Sequence, residues 1–323
     1  MKLTLFVAIL VCLLAGRLAG TAQTNFALFK VTVYNQAGVA PPTVPDSPNA
    51  FYFAAQFATP DASAITNVGV VDPAGTNLVL TESGPGYFSF GSPYFATKTN
   101  FDTTYGSGEY DFYVDYTNYP DYGSVTIPDQ DFYTTNIATF TTNCWTGMQQ
   151  VDPSQPFDLQ WNGFAPDPAA TAAYTFINVQ DNLTGDTPFG ANYLTPDTTV
   201  TNLAAGTLLY GRTYTVNIYF SDRQDFPNAG FGGALGTIAF DRLTHTTLAT
   251  IPPWLQIAAA GPTNIALTWP ALATNFSLSS TFSLSPDAVS WFAVTNAPAA
   301  LGASNLLVLP HATPSQFFRL SGD

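Results

Sequence analysis

Charge is what this chain has least of. Among its 323 residues there are 8 Lys and Arg and 22 Asp and Glu, and charged residues make up 9% of the whole, against about a quarter in an ordinary soluble domain. So few cations exclude nucleic acid and anionic membrane surfaces as partners, because neutralising phosphates takes clustered Lys and Arg. Lys and Glu, which usually decorate the solvent faces of helices, are confined to Lys2, Lys30 and Lys98 and to Glu82 and Glu109. Almost no helix is therefore expected beyond the N-terminal segment. Histidine occurs only as His245 and His311, with no Cys or acid at ligand spacing, which removes the base of a Ser-His-Asp triad and the ligands of a zinc site. The glycines at 230–233 have no Lys after them and no helix to open, so they are not a phosphate loop.

Cysteine is nearly as scarce. Cys12 lies in an N-terminal apolar run and Cys144 is the only other one; once that run is removed no intrachain disulfide can form, and Cys144 reads as a buried, inert thiol. Residues 1–22 have the pattern of an export signal: Lys2 is the positive n-region, residues 3–15 are apolar, and Gly20-Thr21-Ala22 is a small-x-small cleavage site before Gln23. The apolar run is too short to span a bilayer, which takes about 20 residues, and no second run follows. Cleavage removes Lys2 and Arg17 and takes the formal charge from −14 to −16. A secreted or cell-surface location is expected, with no transmembrane segment after cleavage.

What the chain does have is strand-forming residues. Hydrophobic residues make up 46% and aromatics 15%, enough apolar surface to offset the entropy of ordering. Short apolar/polar alternations bounded by Pro, Gly, Asn and Asp recur along its length, at 26–34, 51–57, 65–71, 77–81, 87–90 and 108–116. Further ones follow at 157–161 and 213–220, and then at 254–257, 265–270, 276–280, 291–294, 306–310 and 317–320. Alternation points Trp161, Trp269 and Trp291 inward. The expected architecture is all-β: three β-sandwich domains in tandem, over 23–134, 135–250 and 251–323. The first boundary falls somewhere in 128–140, and the second is a stiff joint at Ile251-Pro252-Pro253.

Two resemblances sharpen this. Leu208 followed six residues later by Tyr214, with Gly211 in the turn and an alternating strand after it, is similar to the tyrosine corner of fibronectin type III and immunoglobulin-like sandwiches. That similarity implies that the Tyr214 hydroxyl bonds an upstream backbone group, although Tyr210 and Arg212 stand where the commonest pattern has Pro and Thr. The blocks Leu267-x-Trp269-Pro270, Phe276-x-Leu278-x-Ser280, Trp291-x-x-Val294 and the final Phe317-Phe318-Arg319-Leu320 resemble a closing module of large secreted proteins of verrucomicrobial bacteria. Their middle region resembles Phe157-x-Leu159-x-Trp161. These motifs are core aromatics and turn glycines, so they imply architecture rather than chemistry.

No catalytic residue is identified. The acid-rich band Asp102, Glu109, Asp111, Asp115, Asp121, Asp129 and Asp131 holds the candidate site. Glu109, Asp111, Tyr113 and Asp115 share one face of a strand, where carboxylates suit a hard cation such as Ca²⁺ and Tyr113 suits stacking on a glycan. The plainer alternative is a solvated strand face. Tyr110, Tyr116, Tyr119, Tyr122 and Tyr133 add aromatics nearby. Asp222, Arg223, Asp225, Asp241 and Arg242 form a second charged group, read as a wide hairpin loop stapled by surface Asp–Arg pairs, or as a cation site. The functional expectation is a non-catalytic, exported structural or binding protein without a cofactor, Ca²⁺ being the one weighed. Its partners would be an extracellular polysaccharide or surface proteins, and the alternatives are a carbohydrate-binding accessory protein and a calcium-dependent adhesion module.

Overall fold

The computed structural model describes residues 24–134, 136–227, 229–284, 290–311 and 315–322; the expected export signal at 1–22 lies outside them. About 52% of the described residues are in strands and bridges and 4% in helix, and the fold is an all-β sandwich architecture. Strands β1 (Asn25–Asn35), β2 (Phe51–Ala58), β3 (Ile65–Val71), β4 (Asn77–Val79), β5 (Thr81–Gly84) and β6 (Tyr87–Gly91) come first. A helix of about two turns, α1 (Lys98–Thr104), capped by the Thr97 side chain, precedes β7 (Gly108–Tyr116) and β8 (Pro120–Ile127). The second part comprises helix α2 (Thr142–Gly147) and strands β9 (Phe157–Gln160), β10 (Ala172–Asp181), β11 (Phe189–Leu194), β12 (Val200–Leu203), β13 (Thr213–Phe226) and β14 (Leu235–Ala249).

The expected seam at 134/135 is not a gap between separate sheets. β1 pairs in parallel with β14 over its whole length, from Asn25 opposite Leu235 to Asn35 opposite His245. One eight-stranded sheet, ordered β11-β10-β13-β14-β1-β2-β6-β5, therefore crosses the boundary. On one side it is covered twice. Sheet β4-β3-β7-β8 closes a first core in which Phe26, Leu28, Phe53 and Phe57 meet Val68, Val70, Tyr110 and Phe112. Beside it, the β9-β12 pair and α2 close a second, in which Trp161, Phe140 and Met148 meet Val216, Ile218 and Phe220.

A polar stripe divides the two cores. Positions of β1 and β14 that would continue the apolar pattern carry Lys30, Thr32, Arg242 and Thr244, and residues 131–133, within the expected boundary range 128–140, lie against this stripe. Phe132 and Tyr133 pack on Phe240 at 4.2 and 5.2 Å between ring centroids. At the end of β1, the Gln36 side-chain amide donates to the Phe140 carbonyl (3.0 Å) and accepts from the Phe140 N–H (2.8 Å), while Trp145 Nε1 and Thr246 Oγ1 both donate to the Gln36 carbonyl. A single buried residue thus fastens both halves.

The tyrosine corner is present. Tyr214 is buried and its hydroxyl accepts the Leu209 N–H at 2.8 Å. Tyr214→Phe leaves that donor without its partner and should cost about 1–2 kcal/mol; an unchanged denaturant midpoint would show that the bond carries no stability.

The C-terminal module has strands β15 (Gln256–Ala259), β16 (Asn264–Pro270), β17 (Phe276–Thr281), β18 (Phe292–Ala293), β19 (Ala299–Leu301), β20 (Ser304–Pro310) and β21 (Phe317–Gly322), in two small sheets, β15-β16-β20-β19 and β18-β17-β21. Trp269 is buried with Leu267, Leu278 and Leu307, and Tyr210 of the preceding body joins that core. Trp291 departs from expectation. It precedes β18, is only half-buried, and lies under the Arg319 guanidinium at 4.3 Å, because β18 is two residues long and too short to carry its neighbour into the core.

Candidate functional site

Glu109, Asp111, Tyr113 and Asp115 do share the outer face of β7, opposite buried Tyr110, Phe112 and Val114. They do not converge. At about 3.3 Å per residue, Glu109 and Asp115 stand roughly 20 Å apart along the strand, and Tyr113 separates Asp111 from Asp115. Among the described residues no group of three or more His, Cys, Asp or Glu is placed to hold a metal ion. Asp115 instead accepts from Asn67 Nδ2 (3.2 Å), and Tyr113 donates to Asn77 Oδ1 (3.0 Å). The Tyr113 ring lies so close over Gly69 that any β-carbon there would sit within 2.4–2.7 Å of it, so that ring contact is occupied within the fold.

Part of the acidic band converges elsewhere, around cations. Lys30, buried in β1, donates to Asp102 of α1 (2.8 Å) and to Asp131 (2.9 Å). The half-exposed Lys98 bonds the other oxygens of the same two carboxylates. The Lys30 ammonium also lies 5.2 Å from the Phe101 ring. Burial acts to raise Asp102, but hydrogen bonds and charge from Lys30 and Lys98 outweigh it and hold the carboxyl below its ordinary value. The four groups border a pocket of about 620 Å³ with Asp129 and Gln130. Two carboxylates each tied to two ammonium groups are neutralised, which equips them to join strand, helix and loop.

The second charged group is neither a loop nor on the surface. β13 and β14 run through it, and their alternation splits it between the two faces of the large sheet. Asp222 and Arg242 point to the covered side. Asp222 is fully buried, with one oxygen accepting the Asp167 N–H (3.0 Å) and the other unbonded. The glycine-rich connection at 230–233 is pinned: Phe231 packs on Phe26 and Phe57 at 5.2 Å each.

Arg223 and Asp241 point to the opposite face. Laid flat, β6 and β11 would be six strand spacings, about 29 Å, apart. Yet Tyr87 of β6 and Tyr193 of β11 pack against one buried cluster that includes Phe29, Ala239, Leu243 and Tyr219, so the sheet curls and brings its two ends together over this face. The Arg223 guanidinium is 4.9 Å from the Phe176 ring and 5.7 Å from Tyr174 and Tyr193, with Nε donating to Ser221 Oγ at 3.1 Å. Asp241 is fully buried; burial raises its carboxyl, and the Arg223 charge and a hydrogen bond with Ser221 act against that rise. Sequence reasoning missed this face because it needs the β1–β14 pairing. The available signal was two charge pairs, Asp222-Arg223 and Asp241-Arg242, each inside a stretch otherwise rich in strand-forming residues.

Burial pushes the Asp222 carboxyl up to about 7 and Asp241 to about 6. A carboxyl raised above its unfolded value near 3.8 binds its proton more tightly in the folded state, so its contribution to stability falls as pH rises between about 4 and 7. The protein should lose on the order of 1–3 kcal/mol over that window. Asp222→Asn should recover most of the loss at pH 8 and change little at pH 4.5. Thermal unfolding across pH checks this; a wild-type stability rising steadily from pH 4.5 to 8 would contradict it.

No protein-family model and no curated relative matches the sequence. The chain is similar to solved structures of chicken CNTN1 FN1–FN3 domains at 8% identity, with coverage of 90% of this chain and 93% of that one and a TM-score of 0.21. It is similar to titin domains A168–A170 at 12% identity, 93% and 92% coverage and a TM-score of 0.20. To a tetra-tandem repeat in the extending region of a large adhesion protein it shows 14% identity, 88% and 65% coverage and a TM-score of 0.25. Among the described residues, no helix is long and apolar enough to cross a membrane.

Proposed function

We propose that this is a non-catalytic binding protein that works outside the cell, on or beyond its surface. The observation that supports a binding role is the build of the chain: a body sparing in charge in which one continuous sheet is shared by two cores and carries a further module behind it. Support for the absence of catalysis comes from Asp102 and Asp131, the close carboxylate pair, which are fully engaged by Lys30 and Lys98. The export pattern at 1–22 supports the location.

The test is to express the full chain in a bacterial host and determine where it goes and where its N-terminus lies. Mature protein beginning at Gln23 in the medium or on the surface is expected. Uncleaved protein retained inside the cell overturns the reading.

A further inference from the structure

We propose that Lys30 and Asp131 condense into an isopeptide bond, a covalent cross-link that the folded chain forms on itself, with Asp102 as the proton relay and Lys98 as the charge that steadies the transition state. Four observations point this way. First, the reacting groups are already in contact: the Lys30 ammonium lies 2.9 Å from Asp131 Oδ1 and 2.8 Å from Asp102 Oδ1. Groups held in this way gain an effective concentration on the order of 10⁵–10⁸ M, enough to favour an amide that free partners in water would not form.

Second, the amine is shielded. The Lys30 side chain is 3% exposed, with the Phe101 ring 5.2 Å and the Phe240 ring 6.0 Å from its ammonium. Phe132 and Tyr133 pack on Phe240 behind it. Condensation replaces two charges that are costly to keep away from water with one neutral amide. Third, there are two carboxylates. One suffices for an ion pair, whereas amide formation also needs an acid-base partner. Asp131 is the more buried, 13% exposed against 33% for Asp102, so Asp131 is the group that loses its charge and Asp102 the one that moves a proton. Fourth, half-exposed Lys98 bonds the other oxygen of Asp131 at 2.6 Å, which sets its charge against the oxyanion that forms as nitrogen attacks.

The step balances within the site. Asp102 takes a proton from the Lys30 ammonium, and the freed nitrogen attacks Asp131 Cγ. The N–C bond forms and the bond from Cγ to Oδ1 breaks. That oxygen leaves as water, with the proton returned by Asp102 and a second one lost by the nitrogen. The neighbouring pocket of about 620 Å³, lined by these same residues, receives it. The event happens once per molecule, so a slow step suffices. The link ties β1 to the segment between β8 and α2 and encloses β2 to β8, so the first core cannot come fully apart.

The experiment is the intact mass of the mature chain, residues 23–323, taken in acid after folding and followed by a digest. The wild type is expected to be one water lighter than its sequence and to yield a branched peptide joining the segment around Lys30 to that around Asp131. Lys30→Met and Asp102→Asn are each expected to show their full sequence mass. Asp102→Asn should do so with the wild-type circular dichroism, which separates a missing relay from a missing fold. If both variants fail to fold, the wild-type mass and digest decide alone. A folded wild type at full sequence mass, a water lost elsewhere, a link through Lys98 or to Asp102, or a link as complete in Asp102→Asn as in the wild type overturns the proposal.

Discussion

Lys30→Met should destabilise the protein by about 3–5 kcal/mol, the typical cost of removing one member of a buried ion pair. Methionine keeps the stem's volume between Phe101 and Phe240, so the loss is electrostatic rather than a cavity. It leaves Asp102 and Asp131 facing each other with only half-exposed Lys98 between them, and like charges so placed force one carboxyl to take up a proton. The loss should accordingly shrink at low pH. Asp102→Asn in the Lys30→Met background should restore part of the stability by removing the repulsion. Urea denaturation of the three variants at pH 7 and pH 4.5 measures this. A Lys30→Met cost below about 1 kcal/mol would reduce the network to an ordinary surface ion pair.

Trp161→Ala should cost a similar 3–5 kcal/mol, since it empties the centre of the second core. The shared sheet decides where the damage appears. β1 supplies Phe26 and Leu28 to the first core and hydrogen-bonds along its full length to β14, which carries Leu248 of the second. Residues 24–250 should therefore melt in one transition, and the substitution should lower that single midpoint by roughly 10 °C for a unit of this size. Calorimetry distinguishes this from two independent sandwiches, in which a transition belonging to the first core would stay where it was.

Local structure was legible in the sequence and long-range pairing was not. The stretches at 26–34, 51–57 and 65–71 became β1, β2 and β3 almost to the residue, because short runs of aromatic and β-branched residues bounded by turn formers mark strands. Tyr214 was legible through its spacing from Leu208. β14 was missed because Asp241-Arg242 interrupts its apolar run and polar Thr244, His245, Thr246 and Thr247 follow, although β1 and β2 are as fully buried. With β14 missed, its parallel pairing to β1 was out of reach, and parallel partners distant in sequence leave no local mark. The candidate site failed for the same reason. Glu109, Asp111 and Asp115 were correctly placed on one face, but a shared strand face does not bring side chains together; Asp102, Asp131 and Lys30 are brought together by three elements far apart in the chain. The buried positions of Arg223 and Asp241 follow only from the curl of the completed sheet.

The claim that one continuous sheet unites residues 24–250 is tested most directly by native-state hydrogen exchange at the backbone amides of β1 and β14. Because β1 pairs with β14 from Asn25 opposite Leu235 to Asn35 opposite His245, the slowest amides of both strands should exchange through one common global opening with the same free energy. Amides of β1 that open at a free energy different from those of β14 would contradict the account.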